Sequence, residues 1–226
     1  MTDQANYNIN DIEVSLIDSV TDDNLSQLFE NIGESVLDTM LSDGVMQNIP
    51  IIDSIYKGGK IIVSIRDQFF AKKVLRFLMQ IKDISATERQ NFINELEEKT
   101  GQKAGETLVV LIDRLDNIGK PIILSNLLKS KVKGDISLEK FLRLASILDR
   151  GFLTDLKKLH DFEFTTSNYL EDVTEILFSL GLLYQAPITG IKQSFDNNLP
   201  EDNSVNKYKI SGLGRDLLNF ELNNHA

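Results

Sequence analysis

Apolar residues recur at spacings of three and four along most of this chain, the period of helices that bury one face. The first ten residues are polar and expected to fray, and a short helix is expected over Asp11–Val20, so residues 1–20 read as a flexible acidic arm. Thr21 is placed to cap a longer helix carrying Leu25, Leu28, Phe29, Ile32, Val36, Leu37, Met40 and Leu41, stopped by Gly44. Pro50 and Gly58-Gly59 bound an apolar stretch, Ile51–Tyr56, that reads as a helical turn or a loop. Lys60–Lys82 reads as a helix whose apolar residues run nearly all the way round, as in a helix buried on several sides. Its Lys and Arg stems are expected to snorkel past the core.

Ser85-Ala-Thr-Glu88 is a capping box that opens a helix ending at Gly101. Helical patterns continue over Glu106–Asn117, from Pro121 to Gly134, and from Ser137 through Leu148, with a short helix near Leu153–Leu159. The polar, β-branched run Asp161–Asn168 marks a boundary. After it come an amphipathic helix from Tyr169 to Gly181, a short strand near Leu182–Ala186, a polar loop, a strand at Tyr208–Ile210 and a closing helix. That order resembles the second half of a winged-helix module. The expected fold is therefore mainly α: a multi-helix domain over residues 21–160, then a small winged-helix-like α+β domain over 161–226.

Charge changes the functional picture. The net charge of −10 argues against general affinity for nucleic acid, which comes from Lys and Arg neutralising phosphates. The helix expected to face the major groove in a winged helix carries Glu171, Asp172 and Glu175 and no Lys or Arg. Residues 160–226 hold ten acidic residues against Lys192, Lys207, Lys209 and Arg215. Only the second wing strand is locally basic, so Lys207, Lys209 and Arg215 are the candidate wing contacts, and use of the module for protein binding or structure is favoured over DNA reading.

The other asymmetry lies near the start. Residues 1–53 hold eleven acidic residues and no Lys or Arg, whereas residues 54–82 hold seven basic residues against Asp67 alone. The plain reading is neighbouring helices whose faces attract. The sharper reading is a patch for an anionic partner or membrane surface, built from Lys57, Lys60, Arg66, Lys72, Lys73 and Arg76 with Phe69, Phe70 and Phe77 between them. Against it, the charges do not gather on one helical face.

No catalytic constellation stands out, and the chain reads as a non-enzymatic protein without cofactor. There is no cysteine, which removes disulfides, thiolate metal sites and cysteine nucleophiles. His160 and His225 are the only histidines, 65 positions apart, and form no zinc signature. Lys133-Gly134-Asp135 resembles part of an EF-hand loop, but the calcium-ligand positions fall on Lys129, Lys131, Lys133 and Lys140, so the site is rejected. Gly212-Leu-Gly214 and Lys57-Gly-Gly-Lys60 lack the further residues of a phosphate cradle and read as a tight turn and a hinge. No basic, apolar leader opens the sequence and no apolar run is long enough to span a bilayer, so a cytoplasmic protein is expected, with the inner membrane face as its peripheral site.

Ile123-Leu-Ser-Asn-Leu-Leu128, Ile136-Ser-Leu-Glu-Lys-Phe141, Leu144-Ala-Ser-Ile-Leu-Asp149, Leu177-Phe-Ser-Leu-Gly-Leu182 and Tyr208-Lys-Ile-Ser-Gly-Leu-Gly214 follow one another in an order that resembles bacterial abortive-infection alpha (Abi-alpha-like) proteins, over about residues 120–215. Ser211 stands where that family commonly has threonine, and a tryptophan common in its helical layer is missing. The resemblance implies a bacterial, phage-related setting and no catalytic residues. The function expected is protein interaction or regulation, through a protein partner or self-association. The alternatives are a DNA-binding regulator with an atypical wing and a membrane-associating effector that exposes residues 54–82.

Overall fold

A computed structural model describes residues 9–30, 32, 48–56, 64–164, 171–185 and 208–222. The described residues are mainly helical. In chain order they form α1 (Ile9–Thr21), α2 (Leu25–Leu28), α3 (Pro50–Tyr56), α4 (Ile65–Ile81), α5 (Ala86–Thr100), α6 (Ala104–Arg114), α7 (Lys120–Lys133) and α8 (Leu138–Arg150). These are followed by α9 (Leu153–Lys157) with a 3-10 turn at Lys158–His160, α10 (Asp161–Phe164), α11 (Glu171–Ser179), β1 (Leu183–Gln185), β2 (Tyr208–Ile210) and α12 (Gly212–Leu222). The chain divides into two compact units, Met1–Asp149 and Arg150–Ala226. The division falls some way before the polar run at 161–168, because α9 and the turn after it pack with α11 and α12 in the second unit.

In the first unit α1 is a core helix rather than the expected flexible arm. Leu16 and Val20 are wholly buried, and the helix lies against α3, α5 and α6. Ser15 Oγ meets Ser54 Oγ of α3 at 2.5 Å, and Ser19 Oγ accepts from Ile51 N at 3.0 Å. Thr21 closes this helix instead of opening the next one: its hydroxyl donates back to Ile17 O at 2.9 Å. The long helix expected from Thr21 to Gly44 starts only as the single turn α2, and most of the rest lies outside the described residues. Ile51–Tyr56 resolves as the helix α3.

Local chemistry sets most other boundaries. Ser64 and Asp67 form a capping box that starts α4 at Ile65, five residues after Lys60, and Ser85 and Glu88 form another that starts α5. The Ser85 hydrogen bonds hold the Glu88 carboxyl below its usual range. At the end of α7, Asp135 N donates to Ser130 O and Gly134 N to Lys131 O, while Gly134 takes a φ of 83°. This is the paired bonding of a glycine helix stop. Helix α4 runs along α7, and Ser125 Oγ ties them by donating to Phe77 O at 3.1 Å. Phe92 of α5 meets Phe141 of α8 edge to face, with centroids 5.3 Å apart.

Helices α1 and α6 come close at Gly105, where a Cβ would stand 2.7 Å from the backbone oxygen of Glu13. Backbone cannot swing aside as a side chain can. Gly105→Ala is therefore expected to cost about 2 kcal/mol, the scale of an overpacked contact, read as a lowered urea midpoint with an unchanged slope.

In the second unit, β1 and β2 pair antiparallel with Leu183 opposite Ile210, Tyr184 opposite Lys209 and Gln185 opposite Tyr208. Leu183 and Ile210 face inward, toward a core that includes Leu156, Leu159, Leu177, Leu182, Leu217 and Leu218. Alternation along the strands puts Tyr184 and Lys209 on the other face.

Candidate interaction surfaces

The basic segment separates into inward and outward cations. Lys73, expected in an anionic-partner patch, is only 7% exposed. Its ammonium donates to Asp113 O at 2.5 Å and Leu115 O at 3.1 Å, satisfying carbonyls at the C-terminal end of α6. Burial lowers its pKa, Asp113 and Asp116 pull it back up, and Arg66 opposes them. Lys73 therefore leaves the patch. Lys57 and Lys60 lie outside the described residues. Arg66 is exposed and pairs with Asp113 at 2.7 Å, and Lys72 and Arg76 are half-buried.

Two further cations are buried. Arg89 of α5 donates to Val20 O at 2.5 Å, to Asp22 O at 2.5 Å and to Ile84 O, so one guanidinium closes the end of α1 and the turn after α4. Burial lowers its pKa, and Asp22 and Asp23 raise it. Lys120 at the start of α7 is wholly buried, with Nζ 2.5 Å from Asp116 Oδ1 in an ion pair that lacks hydrogen-bond geometry. Sequence reasoning passed over both residues, yet a signal was present. Arg89 is in phase with Phe92, Ile93 and Leu96, and Lys120 with Leu124 and Leu127, so each stands on an inward stripe.

Once Lys73 is assigned inward, the outer line of α4 becomes legible. Ile65, Phe69, Lys72 and Arg76 stand at spacings of four, three and four, which align on one face of a helix. Ile65 is 74% exposed and Phe69 53%.

The second unit has a different surface. Helix α11 turns Thr174 and Leu177 inward and exposes Asp172, Glu175, Ile176 and Phe178. Phe178, 42% exposed, meets Tyr208 edge to face with centroids 5.4 Å apart. The helix ends in a glycine stop: Leu182 N donates to Leu177 O and Gly181 N to Phe178 O, with Gly181 at a φ of 76°. Ser211 then joins the parts. Its hydroxyl donates to Gly181 O at 2.7 Å and accepts from Gly214 N at 3.1 Å, capping α12. The Gly212-Leu-Gly214 pair thus forms the first turn of α12. Of the candidate wing contacts, Lys209 and Arg215 are exposed and Lys207 lies outside the described residues. Sequence reasoning missed Ile176 and Phe178 as surface groups because an amphipathic pattern does not say how wide the covered stripe is.

Among the described residues, no three His, Asp or Glu side chains converge as metal ligands would, and no helix is long and apolar enough to cross a membrane. His160 sits half-buried in the 3-10 turn. No family model matches the chain, and neither a curated protein nor a solved structure is similar to it.

Proposed function

We propose that this is a non-enzymatic interaction protein whose second unit, read as a winged-helix-like module, docks a protein partner. The observation that carries the proposal is the outer face of α11. There Asp172 and Glu175 stand between Ile176 and Phe178, which lie at the two edges of the exposed arc, with no cation on the helix. Such a face repels a phosphate backbone, whose affinity comes from released counterions at Lys and Arg contacts. It suits instead a protein surface that offers basic side chains flanked by apolar ones, with Ile176 and Phe178 as the large apolar anchors. The bacterial, phage-related setting rests on the resemblance to abortive-infection alpha proteins alone.

The test is affinity capture from the native host with the wild-type chain and with I176S/F178S. Truncating an anchor at a docking centre costs about 2 kcal/mol, or about 30-fold in affinity. A partner retained by the wild type is expected to be lost from the variant, which stays folded and melts only slightly earlier because Phe178 gives up its edge contact with Tyr208. A mobility-shift titration guards the other side. Nanomolar retention of duplex DNA, falling steeply with potassium chloride, would replace this reading with that of a DNA-binding regulator using Lys209 and Arg215.

A further inference from the structure

We infer that the outer line of α4 docks the protein on an anionic lipid surface. Ile65 and Phe69 enter the boundary between headgroups and acyl chains, and Lys72 and Arg76 lie over the lipid phosphates. Three observations carry this. The four side chains share one helical face about 16 Å long, so a plane can meet them together. The two most N-terminal of them are large apolar groups, 74% and 53% exposed, on the first turns of the helix. The other two are cations on the same line, so the face joins apolar area to positive charge, the pair of signals that holds a helix at a membrane interface.

Two acidic residues near this face are already engaged. Asp67, the acidic residue within α4, is engaged by its capping box, its carboxylate accepting from Ser64 N at 3.2 Å and Ser64 Oγ at 2.6 Å. Asp113 is engaged by Arg66 and lies beside the Lys73 ammonium. A bilayer fits better than an acidic protein, because a soft interface accepts apolar groups this exposed, whereas a rigid protein would need a matching socket. The net charge of −10 works against adsorption as a whole, so binding is expected to be modest and to need low salt.

The chain has no tryptophan, which makes Phe69→Trp a single reporter on this face. The 226-residue chain is sedimented with vesicles of phosphatidylcholine alone and of phosphatidylcholine mixed equally with phosphatidylserine. The expected result is co-sedimentation with the mixed vesicles at low salt, release as salt rises, and a blue-shifted emission from F69W on the same vesicles. K72Q/R76Q is expected to weaken partitioning about 25-fold, at about fivefold per cation near a charged surface. I65S/F69S is expected to abolish it. R143Q, which removes an exposed cation from α8, is expected to leave it unchanged. Melting curves confirm that each variant is folded; if I65S/F69S melts early, F69S alone takes its place. The inference is overturned if the wild type stays in the supernatant with mixed vesicles, as it would if the stripe served an acidic protein. It is equally overturned if the stripe variants bind like the wild type, or if F69W emission does not move. None of these outcomes bears on the docking face of α11, which is read out by capture.

Discussion

Arg89→Met is expected to lower the unfolding free energy of the first unit by about 4 kcal/mol. Methionine fills much of the arginine's volume but donates nothing. Val20 O and Ile84 O would then be left buried without their donor, while Asp22 O is partly open to water. A stranded buried carbonyl costs about 2 kcal/mol, and two are stranded. Set against a usual total stability of about 5–15 kcal/mol, that is a large fraction. Urea unfolding followed by circular dichroism measures it. Arg89→Lys keeps the charge but cannot span three carbonyls, so an intermediate loss is expected. A loss below about 1 kcal/mol for the methionine variant would mean that water or a shifted helix end replaces the guanidinium, and the role given to Arg89 would be wrong.

The second large effect is expected two residues into α12. A Cβ on Gly214 would stand 2.3 Å from Leu182 O and 2.8 Å from Ile210 Cγ2. The Leu182 oxygen also accepts from Ser211 N at 2.9 Å, so the intruding methyl strikes the bond that seats α12 against the sheet. Gly214→Ala is expected to cost about 3 kcal/mol, at the upper end of overpacking penalties. Hydrogen exchange should show lost protection at β1, β2 and the start of α12. Gly212→Ala is the control, because nothing lies within 4 Å of a Cβ there. That substitution is expected to be neutral or to stabilise by up to about 1 kcal/mol through reduced freedom of the unfolded chain. Equal effects from the two substitutions would contradict the packing described.

These sites show where sequence reading works and where it stops. The capping box at Ser85–Glu88, the glycine stops at 101, 134 and 181, the proline near the start of α7 and the two short strands are all written in neighbouring residues, and the structure places each where the pattern puts it. Each depends on hydrogen bonds or backbone angles within a few positions. Thr21 misled because a threonine hydroxyl serves either end of a helix, and the choice went to Ile17 O once Val20 was buried. The N-terminal segment misled because acidic residues interrupt it, although Leu16 and Val20 bind it into the core.

Periodicity and composition were enough to establish a mainly helical chain, its helix caps, the sign of its charge and the acidic character of α11, since those properties are local or additive. The destination of each cation was not available from them. Lys72 and Lys73 are adjacent and chemically identical, yet one lies on the outward line of α4 and the other ends against carbonyls of α6 forty positions away. A lysine goes inward when a distant helix offers unpaired carbonyls at the right height, because that bonding offsets desolvation. Such a partner exists only after the chain has folded.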